Sequence, residues 1–219
     1  MTAYFVTGTD TGVGKTFVSC ALLHALARRH PRVVGMKPVA AGLVQVPEGW
    51  DSEDAIALRA ASTVPVPPAL DNPVRLPDPL SPHIAAERAG TRIDIHHLVA
   101  CHRELVQRAD AVVVEGAGGF LVPLTPEHTG ADLAQALGLP VLLVVGLRLG
   151  CLNHALLSAE AIRARGLTLT GWVANRIDPA MDAADENIAF LRQRLGAPLL
   201  ADIPHSATPD FRAVHIELP

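Results

Sequence analysis

Short apolar runs alternate along this chain with longer stretches in which apolar residues recur every three or four positions. The short runs are residues 3–8, 32–37, 110–115, 140–146, 168–174 and 198–203. They are short, apolar and rich in β-branched residues, the pattern of strands buried on both faces. The longer stretches, 14–29, 52–61, 82–90, 94–109, 129–137, 153–165 and 182–195, read as helices. Strand and helix in alternation predict an α/β fold, a mostly parallel sheet with helices on both faces. Two segments break the pattern. Residues 38–51 follow the second strand, and residues 63–82 hold prolines at 65, 67, 68, 73, 77, 79 and 82. Proline cannot donate to a ladder or continue a helix, so both segments are expected as long loops. Ligands in open α/β sheets bind beyond the carboxyl ends of the strands, which places both loops on the rim of a site.

Composition narrows the class. A chain of 219 residues, 49% hydrophobic and 18% charged, suits one α/β domain over residues 1–219 with a well-buried sheet. A net charge of −4 and a pI near 6.2 argue against a nucleic-acid partner. Membrane attachment is not expected either. There is no polybasic cluster, and the most apolar stretch, Leu137 to Val145, is too short to span a bilayer and holds Pro140. The amino-terminal segment lacks the pattern of a signal peptide. Cys20, Cys101 and Cys151 have neither metal nor redox spacing, and their odd number argues against a disulfide framework. The cytoplasm is the expected compartment.

Candidate chemistry begins at the end of the first strand. Tyr4-Phe5-Val6 leads into Gly8-Thr-Asp-Thr-Gly-Val-Gly-Lys15-Thr16, and a helix follows. A strand that breaks into a glycine-rich loop and opens a helix presents backbone N–H groups and the positive end of a helix dipole to phosphate oxygens. Lys15 is placed to reach the terminal phosphates and the Thr16 hydroxyl to hold Mg²⁺. The segment therefore predicts nucleoside triphosphate binding on a sheet of the P-loop NTPase type. Its first glycine lies seven residues before the lysine, one more than usual.

Five further strand ends or helix starts carry chemistry. Val112-Val113-Val114-Glu115 runs into Gly116-Ala117-Gly118-Gly119, so a carboxylate beside a glycine run is expected near the phosphates and a metal. Lys37 ends the second strand before Pro38, and a cation there faces the same crevice as Lys15. Asp54 reads either as first-turn acid of a helix capped by Asp51 or Ser52, or as a further metal ligand. Gly150-Cys151-Leu152-Asn153 precedes a helix, with Asn153 as its cap or with the helix start receiving a carboxylate. Asn175 after the fifth strand suits either an adenine edge or a turn. His96, His97 and His102 read as helix-surface residues rather than metal ligands.

Taken in order, these segments resemble the dethiobiotin synthetases, ATP-dependent cyclo-ligases of biotin synthesis. The resemblance rests on Phe5-Val6-Thr7-Gly8-Thr9-Asp10-Thr11, Val13-Gly14-Lys15-Thr16, Lys37-Pro38-Val39, Ser81-Pro82-His83 and Val114 to Gly119. It continues through Leu142 to Gly146, Leu149 to His154, Gly171 to Asn175 and Pro198-Leu199-Leu200. It implies a homodimer that takes ATP with Mg²⁺, 7,8-diaminopelargonate and CO₂ or bicarbonate, forming a carbamate and then a carbamic–phosphoric anhydride. It also implies roles for residues. Gly12, Val13, Gly14, Lys15, Thr16 and Phe17, with Glu115, Gly116, Ala117 and Gly118, surround the phosphates. Thr16, Asp54 and Glu115 hold the metal. Asn175, Arg176, Pro204, His205 and Ser206 lie near adenine. Thr11, Lys15 and Lys37 act on the carbamate, with Ala41 beside it. Gly150, Cys151 and Asn153 receive the substrate carboxylate across the subunit interface.

Some positions depart from the family pattern. Ala41 stands where better-known members carry a serine, and Asn187 where a tyrosine contacts the carboxylate. Residues 207–219 match poorly. Two other classes compete. A partition-type NTPase switch typically has a second lysine near the start of the phosphate loop, where this chain has Thr9, Asp10 and Thr11. An amidotransferase-type synthetase often has an attached glutaminase domain, for which this chain has no room.

Overall fold

The computed structural model describes residues 1–47 and 49–218. Glu48, inside the expected loop 38–51, and Pro219, at the end of the tail, lie outside the described residues. Six parallel strands form the main sheet: β1 (Thr2–Gly8), β2 (Val33–Met36), β7 (Ala111–Gly119), β8 (Val141–Gly146), β9 (Leu169–Asn175) and β10 (Leu199–Ile203). Their order across the sheet is β10-β9-β8-β1-β7-β2. The central strand β1 pairs with β7 on one side, Val6 opposite Glu115, and with β8 on the other, Gly8 opposite Val144.

Alternation along each strand divides the core in two, because successive side chains point to opposite faces. Phe5, Val34, Val112, Val114 and Leu143 belong to one apolar cluster, and Tyr4, Val6, Val33, Val113 and Leu142 to the other. The second cluster is covered by helix α1 (Lys15–Ala27) and by α2 (Glu53–Ala61) through Leu58. Across the sheet the first cluster packs against α4 (Pro82–Ala89), α5 (Ile95–Arg108), α6 (Gly130–Leu137), α7 (Cys151–Ala164) and α8 (Ala184–Arg194). Helices therefore cover both faces, as expected from the alternation.

Local signals account for most helix starts. Asp94 accepts from the His96 N–H before α5, and Thr129 with Asp132 closes a capping box on α6. Ser52 caps α2 by accepting from the Ala55 N–H. At α7 the expectation fails. That helix begins at Cys151, with Gly150 before it at φ 93°, so Asn153 lies inside the first turn rather than capping it.

The two expected loops are partly ordered into small elements. Residues 38–51 hold β3 (Val39–Ala41) and the antiparallel pair β4 (Val44–Val46) and β5 (Gly49–Asp51). Residues 63–82 hold the short helix α3 (Pro68–Asp71) and β6 (Val74–Leu76), which pairs in parallel with β3. Pro68 opens α3 at a position whose N–H needs no partner. Strand β7 also runs past Glu115 to Gly119 rather than ending at the carboxylate. Among the described residues no helix is long and apolar enough to cross a membrane.

Candidate active site

The carboxyl ends of β1, β2 and β7 meet at one edge of the sheet and bring three charged side chains together. From β1 the chain enters the phosphate loop, and two of its glycines are there by necessity. A Cβ on Gly8 would stand 2.6 Å from Val13 Cγ2 and 3.0 Å from Lys15 Cγ, so the loop packs against Gly8 too closely for a side chain there. Gly14 has φ 88°, and a Cβ there would meet Asn175 Nδ2 at 2.2 Å. The Asn175 amide donates to the Val13 carbonyl at 2.9 Å, so the end of β9 buttresses the loop from behind. Lys15 folds back, and its ammonium donates to the Asp10 carbonyl at 2.9 Å.

Lys37, just beyond β2, and Glu115, in β7, are 4% and 0% exposed. The Lys37 ammonium donates to Glu115 Oε1 at 2.6 Å and lies 2.8 Å from Asp54 Oδ2. Burial works against the charge on Lys37, but Glu115 and Asp54 outweigh it and hold the ammonium above the usual lysine range. Burial likewise opposes the charge on Asp54, and Lys37 overcomes it and keeps the carboxyl below its usual range. Lys15 lacks such close partners. Burial, with Lys37 nearby, pulls it down to about 8.

A cation site can be tested on the oxygens present. Thr16 Oγ1 lies 2.7 Å from Asp54 Oδ1 and 2.9 Å from Glu115 Oε1. A hydroxyl has one proton and cannot donate to both, so three oxygens converge on one point. Glu115 Oε2 is buried without a hydrogen-bond partner among the described residues. A buried carboxylate with one oxygen beside the Thr16 hydroxyl and the other orphaned, next to a second carboxylate on the same hydroxyl, fits Mg²⁺. Among the described residues no three His, Cys, Asp or Glu side chains gather as a metal site. A cation here would take its other ligands from phosphate and water, the usual habit of Mg²⁺.

These groups line a cavity of about 710 Å³. It contains Thr11, Gly12, Gly14, Lys15, Thr16, Lys37, Ala41, Asp54, Glu115, Ala117 and Gly118, half of the site residues singled out from sequence. Pro79, Leu80, Pro82 and Val122 give it an apolar wall, so the proline-rich segment does reach the rim. Val13 and Gly116 do not line it: Val13 is fully buried, and a Cβ on Gly116 would stand 3.0 Å from Phe5 Cζ.

A second cavity, of about 620 Å³, opens on the other side of the phosphate loop. Phe17, Asn175, Arg176, Pro204, His205 and Ser206 line it, and so do Asp210, Val214 and His215 from the tail. The tail thus contributes to a site where the sequence offered no match. Arg176 is fixed by Asp202 at 2.8 Å and also pairs with Asp185.

Other expected residues fall elsewhere. Gly150 and Asn153 are exposed and Cys151 is buried, and none of the three lines either cavity. Asn187 turns back on its own helix, donating to the Ala183 carbonyl at 2.7 Å. His96 and His97 are exposed as expected, but His102 is not a surface residue. It is 6% exposed, and burial, with Arg103 adding to it, lowers its basicity. The three cysteines are free and buried.

One link was missed entirely. Asp10 ties the phosphate loop to the β8–α7 loop through an ion pair with Arg148, while its Oδ1 accepts from the Thr11 N–H at 2.7 Å. Nothing in the sequence spacing signals a partner so far along the chain.

Comparison with known proteins adds to this geometry. Solved structures with the same fold include a ParA family ATPase from Chlorobium tepidum, at a TM-score of 0.57 and 15% identity over 94% of this chain and 84% of that one. The MinD cell division protein of Aquifex aeolicus matches at 0.54 and 15%, over 94% and 83%. At such identities the likeness is one of fold alone. The family model described as an AAA domain matches residues 2–210. An ATP-dependent dethiobiotin synthetase, BioD, of Aromatoleum aromaticum is 57% identical over 210 residues, covering 95% of this chain and 92% of its own length. With that identity along nearly the whole of both chains, this protein belongs to the ATP-dependent dethiobiotin synthetase family.

Proposed function

We propose that this chain, folded as one domain over residues 1–219, is a cytoplasmic ATP-dependent cyclo-ligase. It converts 7,8-diaminopelargonate and CO₂ to dethiobiotin, releasing ADP and phosphate. One observation carries the reading. Two lysines, a threonine hydroxyl and a buried carboxylate with an unpartnered oxygen line a cavity that Pro79, Leu80, Pro82 and Val122 also line. Charge at one side suits phosphates, and the apolar wall suits an alkyl chain.

In this reading one substrate amine adds to CO₂ and loses a proton, giving a carbamate. A carbamate oxygen attacks the γ-phosphorus, the bond to ADP breaks, and a carbamic–phosphoric anhydride results. The second amine then attacks the carbamoyl carbon, phosphate leaves, and the nitrogen loses its proton as the cyclic urea closes. Two anions must meet in the second of these steps, and Lys15 and Lys37 supply the positive charge that lets them. The phosphate loop holds the triphosphate through Gly12 to Phe17, with Glu115 to Gly118 opposite. Thr16, Asp54 and Glu115 would hold Mg²⁺, which would supply further neutralisation of the phosphate charge. Thr11, Lys37 and Ala41 face the carbamate. The base occupies the second cavity between Asn175, Arg176 and Pro204-His205-Ser206.

We also infer a homodimer. Leu149 is 96% exposed, and Leu121 and Leu157 are more than half exposed, apolar side chains that a second copy would cover. The α7 start at Gly150, Cys151 and Asn153 would then present its N–H groups to the substrate carboxylate of the neighbouring subunit. None of the three lines either of this chain's own cavities, which supports that arrangement. The cytoplasmic assignment is supported by three buried, unpaired cysteines. The test is phosphate release from ATP with Mg²⁺ and bicarbonate, with and without the diamine. Release that depends on diamine and matches the cyclic urea formed is expected, and release indifferent to the diamine would overturn the proposal.

A further inference from the structure

Arg59 touches neither cavity's reacting groups, yet both halves of the charged centre lead back to it. The backbone of Lys37 is gripped from both sides by the end of α3. Its N–H donates to the Asp71 carbonyl at 2.7 Å, and its carbonyl accepts from Asn72 Nδ2 at 2.6 Å. Asp71 and Asn72 are 2% and 1% exposed. The Asp71 carboxylate in turn receives a two-pronged bond, from Arg59 Nε at 2.7 Å and from Nη2 at 2.8 Å. The remaining nitrogen, Nη1, reaches Asp51 Oδ2. The other oxygen of Asp51 accepts from the Ser52 N–H at 2.8 Å. Ser52 is the cap of α2, and Asp54 is that helix's second residue.

We propose that Arg59 is a positioning residue: its guanidinium clamps Asp71 to Asp51 and so fixes the Lys37 ammonium against the Asp54 carboxylate. A guanidinium is planar, with donors at fixed spacing, so it sets the separation of the two acids instead of adapting to it. Two hydrogen bonds from the Asp71–Asn72 segment and one from Asp51 then carry that spacing to the backbone at Lys37 and at the α2 cap. The inference rests on the reading of Lys37 and Asp54 given above. The simpler role, neutralising the buried Asp71, needs only a positive charge, whereas the clamp needs the fork.

That difference gives the test. ADP affinity is measured by calorimetry with Mg²⁺ and with EDTA, alongside kcat and KM, for the wild type, Arg59→Gln, Arg59→Lys and Asp51→Asn. The phosphate loop makes the Mg²⁺-free affinity, so that value is expected to stay within about twofold in all variants. The gain in affinity on adding Mg²⁺ depends on where Asp54 stands. It is expected to fall at least about fivefold in Arg59→Gln, with kcat down about tenfold or more and KM for the diamine little changed. Arg59→Lys keeps the charge and loses the fork, so it should behave like the glutamine variant. Asp51→Asn leaves the Arg59–Asp71 pair intact and should still reduce the Mg²⁺ gain, which keeps the question open to test if Arg59 variants do not fold. An Arg59→Lys protein with wild-type kcat and Mg²⁺ gain, or an Asp51→Asn protein with an unaltered gain, would overturn the proposal. A wild type whose ADP affinity ignored Mg²⁺ would overturn the reading of Asp54 and Glu115 beneath it, and the clamp with it.

Discussion

Lys37 keeps a full charge in a place that should strip it away. It is almost wholly buried, and the flanking carboxylates of Glu115 and Asp54 offset the cost. Two consequences follow for Lys37→Ala. Stability should fall by about 3–5 kcal/mol, because Glu115 loses its partner inside the protein. Turnover should fall on the order of 10²-fold while ATP still binds, because the lost charge acts where charge develops. Weakened ATP binding with unchanged kcat would contradict the role. Lys15 makes a different prediction. At about 8 it sits below the 10.5 of an ordinary lysine. Between those values the unfolded chain binds a proton that the folded, ligand-free chain does not. Its contribution to stability therefore rises with pH across that window and is smallest below it. A bound triphosphate restores the charge, so nucleotide binding at pH 8.5 should take up roughly 0.7 proton, and only about 0.1 at pH 7. Calorimetry in buffers of different ionisation enthalpy measures this, and equal uptake at both pH values would count against it. Lys15, Thr16 and Lys37 were legible because each sits at a strand's carboxyl end or a helix start, and Glu115 because one carboxylate closes an apolar run before a glycine run. Arg59, Asp71, Asn72 and Arg148 were not, because a polar residue's sequence position says nothing of a partner folded against it from afar.

The six main strands were legible for a related reason: a strand buried on both faces must be apolar at every position, and that signal is local. Pairing of β3 with β6 has no such signal. Each is three residues long, and Val39 meets Val74 only after the intervening chain has folded. The start of α7 was misplaced because a residue type that caps well, Asn153, outweighed a glycine at positive φ just before it. The tail shows most clearly what an element does beyond its sequence signal. Phe211, Val214, Ile216 and Leu218 pack on the face that carries α1, and the Glu217 N–H donates to the Leu200 carbonyl at 3.0 Å. Asp210, Val214 and His215 then form one wall of the second cavity. Ending the chain after Ser206 should therefore raise KM for ATP about tenfold, with KM for the diamine changed less than twofold. A truncated enzyme with wild-type KM for ATP would show that the base does not lie against the tail.

At the scale of the whole molecule, one sheet edge does two jobs. The crevice between β1 and its two neighbours is where an open α/β sheet leaves room for a ligand. Here β7 and the end of β2 supply charge for the phosphates on one side of β1, while β9 and the tail form a separate cavity on the other. ParA and MinD share the sheet, so the fold alone does not distinguish a switch from a ligase. The distinction lies in the converging charges and the apolar wall. The central claim is that a carbamate oxygen, held by those charges, is what attacks the γ-phosphate. It is tested by supplying ¹⁸O-labelled bicarbonate with ATP, Mg²⁺ and 7,8-diaminopelargonate, at times short enough to limit exchange with water, and weighing the phosphate released. The account predicts one labelled oxygen in the phosphate for each cyclic urea formed, and unlabelled phosphate accompanying that product would contradict it.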